Sequence, residues 1–524
     1  MGMQGKNIFS GLCLAALLVA LWHLWPGGGN LRAAAVLRDY AGSTPAPAFP
    51  SDLDWINTGG RALSLADLKG RVVLLDFWTY GCINCQHIIP DLKKLQAKYG
   101  AALVVIGVHS AKFAREGKTG NIRKIALRYG RTEPIVNDKD FQIWRAYGVH
   151  AWPTLALIDP QGRAIGKIAG EGHYELLDEI IGGVIAQFAK TEQINRTLLP
   201  FTSTVSMPDT PLLFPGKVLA DAAGGRLFIA DSNHNRIVVT DFAGKVRAVI
   251  GGGESGLRDG DFVQARFHGP QGMTLADGNT LYVADTLNHA IRKVDLRAHT
   301  VSTVAGTGEQ QYLRGDDYPA KNTPLNSPWD VLWHDGVLYI AMAGQHQLWT
   351  YEPASKKLAA FAGDRREALD DGPRRSASFN QPSGLAVADG KLYVADAEAS
   401  AIRAIELSGG EVSTLVGTGL FEFGDRDGVG KQVLLQHPLG ISAWDGQLYL
   451  ADTYNGKLKK LEPRRRRVVT LTGELDEPGG LDIANGKVYI ADTNHHAIKV
   501  YDLETEQLAS LHLTGWPAVQ PNSD

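Results

Sequence analysis

Two cysteines, Cys82 and Cys85, stand in the segment Trp78-Thr-Tyr-Gly-Cys82-Ile-Asn-Cys85, and the third and last cysteine of the 524-residue chain, Cys13, lies in an apolar N-terminal stretch. One pair at this spacing builds no disulfide framework, so it is read as chemistry rather than as scaffolding. A cysteine that opens a helix meets the positive end of the helix dipole and unpaired backbone N–H groups, both of which favour thiolate. The two-residue spacer sets the second thiol about one turn further on, within reach of a mixed disulfide on the first. Cys82 is therefore expected to act as nucleophile and Cys85 as resolving thiol of a redox-active disulfide. Zinc would need two more ligands, and with no further cysteine outside the apolar stretch histidines would have to supply both; no metal and no cofactor is expected.

The surrounding pattern alternates strands and helices. Residues 71–78 (Arg-Val-Val-Leu-Leu-Asp-Phe-Trp) read as a buried strand, 84–99 as a helix and 102–109 as a second buried strand. Helical spacing follows over 122–129 and 141–147, then a hairpin over 154–158 and 164–168, and an amphipathic helix over 175–189. Strands separated by helices imply an α/β layered domain over residues 51–192.

With these elements in order, the segment resembles the thioredoxin superfamily over roughly residues 50–190. Asp76-Phe77-Trp78 lies where that family carries its buried acid, Pro90 falls at its helix-kinking proline, and Trp152-Pro153-Thr154 is similar to its cis-proline loop. The resemblance implies that Asp76 relays a proton to or from Cys85. It also implies that Trp78, Trp152 and Pro153 border the substrate, with the Trp152 backbone pairing to an extended segment by strand addition. Two departures stand out: the spacer is Ile83-Asn84 rather than Gly-Pro, and Gly81 replaces the aromatic often found before the first cysteine. Thr79-x-x-Cys82 also echoes the peroxiredoxin site, but Leu75 stands where that pattern has proline, which ranks a thiol peroxidase third.

From about residue 200 short strands repeat. The core Leu-Phe-Ile-Ala-Asp231 recurs at Asp285, Met342, Asp396, Asp452 and Asp492, each preceded by a proline at 215, 270, 328, 382, 438 or 478. Four short strands per repeat and six repeats predict a six-bladed β-propeller over residues 200–515. The repeat aspartates are expected to fix turns by accepting backbone N–H, and the third blade, with Met342 in that place, is expected to be irregular. His234, His289, His346, His495 and His496 fall in equivalent turns and gather on one rim. The repeats look like NHL repeats, and the domain order resembles the NHL-repeat-containing protein 2 family.

Composition is that of globular domains, 44% hydrophobic and 21% charged, and a net charge of −3 without a clustered basic surface argues against nucleic acid as partner. From Ile8 to Trp25 no charged residue occurs, the length of a membrane-spanning helix. Residues 1–26 are thus expected to be an uncleaved anchor or signal and 27–50, rich in Gly, Ala and Pro, a flexible linker. Together these features point to a membrane-anchored thiol-disulfide oxidoreductase of the bacterial inner membrane facing the periplasm. It would exchange with protein or small-molecule thiols and disulfides, and its propeller would dock a protein partner. The alternative is a binding scaffold with a redox-inactive thioredoxin-like domain.

Overall fold

The computed structural model describes residues 39–199 and 207–516. The expected anchor, residues 1–26, lies outside them, and among the described residues no helix is long and apolar enough to cross a membrane.

Seven strands form one sheet. In chain order they are β1 (Thr44–Pro45), β2 (Trp55–Ile56), β3 (Val72–Trp78), β4 (Leu103–His109), β5 (Ile135–Asn137), β6 (Thr154–Ile158) and β7 (Arg163–Ala169). Their spatial order is β1-β7-β6-β3-β4-β5-β2. Strands β3, β4 and β5 run parallel, and β6 and β7 join antiparallel. All seven residues of β3 are buried because both faces of the central sheet are covered. Val73, Leu75 and Phe77 enter one core and Val72 and Leu74 the other, as alternate side chains of a strand must. The second core is closed by α2 (Ile89–Tyr99) and α5 (Tyr174–Ala189), whereas α4 (Gln142–Ala146) adds Ile143 to the first core and α3 (Thr119–Arg128) packs Ile122 and Ile125 in one cluster with Trp78 and Ile135.

Three features depart from expectation. The single helix expected over 84–99 is two pieces, α1 (Ile83–His87) and α2, because Pro90 has no N–H for the Gln86 carbonyl, which instead accepts from Ile88. The stretch 27–50, expected as a tether, falls in part outside the described residues, and within them it is structured: Thr44 pairs with Ala164, and the Gly42 N–H donates to Asp159 Oδ2 (2.9 Å). Phe49 in the same stretch is buried in the core, so its Gly/Ala/Pro content concealed a sheet edge. Strands β2 and β5 were missed, being too short to show a period.

Six sheets arranged as blades follow, with the inner strands of successive blades side by side. Four blades carry a fifth, two- or three-residue outer strand such as Gly372–Pro373, which was not foreseen. The ring closes twice over. Thr493 Oγ1 of the last blade donates to the Pro215 carbonyl of the first (2.8 Å), and the chain beyond Leu508–Ser510 runs beside the first blade, where the Val246 N–H donates to the Thr514 carbonyl (2.8 Å).

The repeat aspartates do accept backbone N–H, but from the loop just ahead of the inner-strand proline: Asp396 Oδ1 from Asn380 (2.7 Å), Asp452 from Gln436 (2.8 Å), Asp492 from Asp476 (2.7 Å). In three blades the second oxygen meets a buried cation, Arg292 at Asp285 (2.9 Å), Arg403 at Asp396 (3.2 Å) and Lys459 at Asp452 (3.6 Å). Blade three is not irregular. It replaces both members of the pair at once, with Met342 for the acid and Trp349 for the cation, and both are fully buried in one apolar cluster. The residue two before its proline, Asn326, is tied to the turn instead, its carbonyl accepting from the Gly344 N–H (3.2 Å) and its side chain donating to the Gly344 carbonyl (2.8 Å), while Gln345 bonds both the N–H (2.9 Å) and the carbonyl of Leu313 further back in the loop.

Asp396→Met alone leaves Arg403 with only the half-exposed Asp371 (2.9 Å) as counter-charge and is expected to cost about 3 kcal/mol. The double variant Asp396→Met/Arg403→Trp is expected to recover much of that loss, and denaturant midpoints for the two proteins check the pair; equal losses would mean that the buried ion pair is not the unit exchanged in blade three.

Candidate functional site at the domain junction

Strand β3 delivers the loop Thr79–Gly81, and α1 begins immediately after it. Cys82 is the N-cap of α1, in extended conformation (φ −77°, ψ 114°), and its Sγ accepts from the Cys85 N–H (3.3 Å). The two free thiols stand 2.7 Å apart, Cys82 half-buried and Cys85 buried behind it. Burial first, then the hydrogen bond and charge of Cys82, push the Cys85 thiol well above its ordinary range, and the charge of Asp76 adds to this.

Asp76 is fully buried beneath the pair, with Arg131 Nη2 donating to its Oδ2 (2.5 Å). Burial raises its carboxyl pKa against the pull of Arg131. Arg131, which sequence reasoning did not single out, also reaches Glu133, and its guanidinium lies 4.0 Å from the Trp78 ring centre. Trp78 is therefore packed away from the surface, 1% exposed between Arg131 and His109, and does not border the space beside Cys82. That corrects its expected place at the substrate. His109, fully buried between Trp78 and Tyr80, is held neutral: burial and then Arg131 lower it to about 3. Pro153 follows Trp152 through a cis peptide bond, and Trp152 lines the same cavity as Cys82, supported by Trp144 (4.7 Å between ring centres).

The face of the domain that carries Cys82 is seated on the propeller rim. Here the expected partner platform is occupied from within the chain, because its turn residues match the α1 end of the thioredoxin-like domain. The Gln381 side chain donates to the Gly81 carbonyl (2.8 Å) and accepts from the Ile83 N–H (2.9 Å), spanning Cys82. Tyr80 donates to Glu477 (3.1 Å), His87 bonds Ser327 (2.7 Å), and Phe113 packs against Phe423, His437 and Tyr454. Lys112 pairs with Glu398 (2.5 Å), and Arg115 with Asp476 and Glu477.

The rim histidines serve this architecture. His289, His346 and His496 sit in left-handed turns, and each Nδ1 accepts the N–H of the residue before the next blade's proline, at 3.1, 3.3 and 3.1 Å. His234 and His495 bond Asp231 and Asp492 of their own blades.

Glu116 was not legible from spacing. Buried beside Gly81, it accepts from Thr79 Oγ1 (2.5 Å) and from the N–H groups of Gly81 (2.9 Å), Lys112 (2.9 Å) and Phe113 (3.0 Å). It thereby ties the loop before Cys82 to the insert that follows β4. Burial, then the charge of Glu398, raise its carboxyl to about 7. Glu398 goes the other way: although burial raises it, Lys112 and His437 hold it at about 2.

Fold and site together define a thioredoxin-like domain built onto an NHL-type propeller. Thioredoxin-like family features match residues 70–164, and NHL repeats match 379–405 and 475–501. Protein SUPPRESSOR OF QUENCHING 1, chloroplastic, of Arabidopsis thaliana is 44% identical over 520 residues, 91% of this chain and 48% of that protein, so the chain spans about half of the plant relative. NHL repeat-containing protein 2 of Gallus gallus is 42% identical over 517 residues, 89% of this chain and 71% of the relative. Thiol-disulfide oxidoreductase ResA of Geobacillus thermodenitrificans is 35% identical over 173 residues, 32% of this chain and 91% of that protein. The chain belongs to the NHL repeat-containing protein 2 family.

An unfolded Glu116 titrates near 4.5 and the folded one near 7, so across that window the folded protein holds the extra proton, and the stability it brings is lost as pH rises. Relative to Glu116→Gln, the wild type is expected to lose about 3 kcal/mol between about pH 5 and pH 8. Denaturant titrations across that range measure it, and a difference that does not change with pH would contradict the buried ionisation.

Proposed function

We propose that the protein is a thiol-disulfide oxidoreductase that cycles Cys82 and Cys85. The observation that carries this reading is a half-buried thiol lining a cavity, with a second, buried thiol 2.7 Å behind it. The match to a thiol-disulfide oxidoreductase over the same domain supports it. Cys82 thiolate attacks one sulfur of a substrate disulfide, forms a mixed disulfide and expels the other half as thiolate. Cys85 then attacks Cys82 Sγ, closes the protein disulfide and releases the second half. Two electrons pass to the substrate, and the protons given up by the two cysteines end on the two product thiols. Cys85 keeps its proton until that second step because burial disfavours its thiolate. Asp76, paired with Arg131, is the group that takes this proton up and returns it; Trp152 and Pro153 border the reacting sulfur.

Residues 1–26 anchor the protein in this reading, their uncharged run from Ile8 to Trp25 suiting the bacterial inner membrane, with both domains in the periplasm. A peroxidase reading has lost its support, since the Thr79 hydroxyl is committed to Glu116. The scaffold alternative draws on one observation, that the propeller covers the redox face. It requires that the pair show no two-electron transition when titrated against dithiothreitol.

Cys82→Ser is expected to fold and to bring exchange with a model disulfide down to background, while Cys85→Ser accumulates a mixed disulfide on Cys82 visible by mass spectrometry. Full exchange activity in Cys82→Ser would mean that the nucleophile has been misassigned.

A further inference from the structure

We infer that the propeller restricts Cys82 to low-molecular-weight disulfides and thiols, so that folded protein disulfides are excluded while the two domains stay seated. The inference rests on the exchange chemistry proposed above and names its substrate class.

The space beside Cys82 measures about 110 Å3. Ligand sites for drug-sized molecules run from roughly 300 to 1,000 Å3. The space beside the sulfur is thus well below the size of a drug-sized ligand site and suits a sulfur with its adjoining methylenes. Its walls come from both domains: Trp152 and Lys112 on one side, and His346, Gln381, Glu398 and Phe421 on the other. Strand addition along Trp152 would require a whole backbone alongside, with side chains projecting to both faces. A volume of this size has no room for one.

The wall is also fixed in place. Gln381 engages the backbone on both sides of Cys82, so the propeller cannot withdraw from the sulfur without breaking two buried hydrogen bonds. Lys112 and Glu398 are only 7% and 8% exposed, and separating a desolvated pair is costly. Phe421, 67% exposed at the rim of the cavity, lies with its ring 5.4 Å from Lys112 Nζ and narrows the entrance with an apolar group.

The accepted reaction is Cys82 thiolate attacking a small disulfide R–S–S–R, which yields Cys82–S–S–R and RS⁻; Cys85 displaces the second RS⁻, and the protein is oxidised by two electrons as the substrate gains them. Dithiothreitol returns the protein to the dithiol in the assay.

The test uses the full chain in detergent solution and reads access and turnover separately. Iodoacetamide and a maleimide bearing a long polyethylene glycol chain are compared at Cys82 by peptide mapping, each rate normalised to free cysteine. The native protein is expected to react with the small reagent and an order of magnitude more slowly with the large one. Arg115→Glu/Lys124→Glu, which sets like charges against Asp476 and Glu477 away from the cavity, is expected to gain labelling by the large reagent. In turnover, hydroxyethyl disulfide is expected to be reduced and insulin not. Equal normalised labelling, no labelling by either reagent, insulin reduced as fast as hydroxyethyl disulfide, or a folded double variant with no gain would each overturn the inference. Size-selective labelling with neither disulfide reduced would support the access limit and sink the oxidoreductase reading instead.

Discussion

Each blade places the residue before its inner-strand proline in the left-handed region, at Phe214, Gly269, Ser327, Gln381, His437 and Glu477, with φ between 47° and 65°. Proline ordinarily drives its predecessor toward extended backbone, and a non-glycine residue held otherwise costs on the order of 1–3 kcal/mol. The neighbouring blade supplies the compensation, for its own left-handed turn residue accepts the strained residue's N–H at most junctions, including His496 to Phe214 across the ring closure. This one device both stitches blade to blade and aims a ring of side chains at the thioredoxin-like domain. Ser327, Gln381, His437 and Glu477 are the residues that touch it. The carboxamide of Gln381 carries a donor and an acceptor side by side, the pattern of a peptide group, so it can satisfy both backbone groups flanking Cys82.

What was legible in the sequence was what repeats or alternates. The continuous apolar run of β3, the helix-dipole position of Cys82, the cis-proline loop and the six propeller cores all have a local signature. The seating of one domain on the other has none. Lys112, Arg115 and Glu116 lie in an insert between strands, and Glu398 and Glu477 lie in propeller turns hundreds of residues away; nothing in their spacing marks them as partners. Trp78 was misplaced for the same reason, because the residue that seals it from substrate, Arg131, arrives from the end of α3. The Gly/Ala/Pro bias of residues 27–50 describes what a chain is free to do in isolation, and an edge strand with a vacant partner overrode it.

The exchange of Asp and cation for Met342 and Trp349 in blade three bears on how the propeller holds its shape. A buried ion pair and a well-packed apolar pair of similar volume are close to equivalent energetically, whereas half of either is not. The repeat can therefore change both members together and keep its geometry. In blade three Asn326, the residue two before the proline, is held by the Gly344 N–H and carbonyl instead. Five blades hold the residue two before the proline by an aspartate and blade three holds it by the Gly344 backbone, so the charge is only one way to fasten that loop.

The same reasoning explains the departure at Gly81. A Cβ there would meet Glu398 Oε1 at 2.8 Å and both Glu116 Oε1 and the Tyr454 hydroxyl at 3.0 Å. A free-standing domain has open solvent before its first cysteine and can fill it with an aromatic side chain. Here the space is filled by the propeller, whose Tyr454 joins the apolar cluster of Trp78, Tyr80, Cys85 and Phe113. Any larger residue at 81 would push Glu398 off Lys112 or Glu116 off the loop, and either movement loosens the backbone that presents Cys82. The missing side chain in the motif is thus the imprint of the second domain, and it makes the surroundings of the sulfur a property of the junction rather than of the thioredoxin-like fold alone.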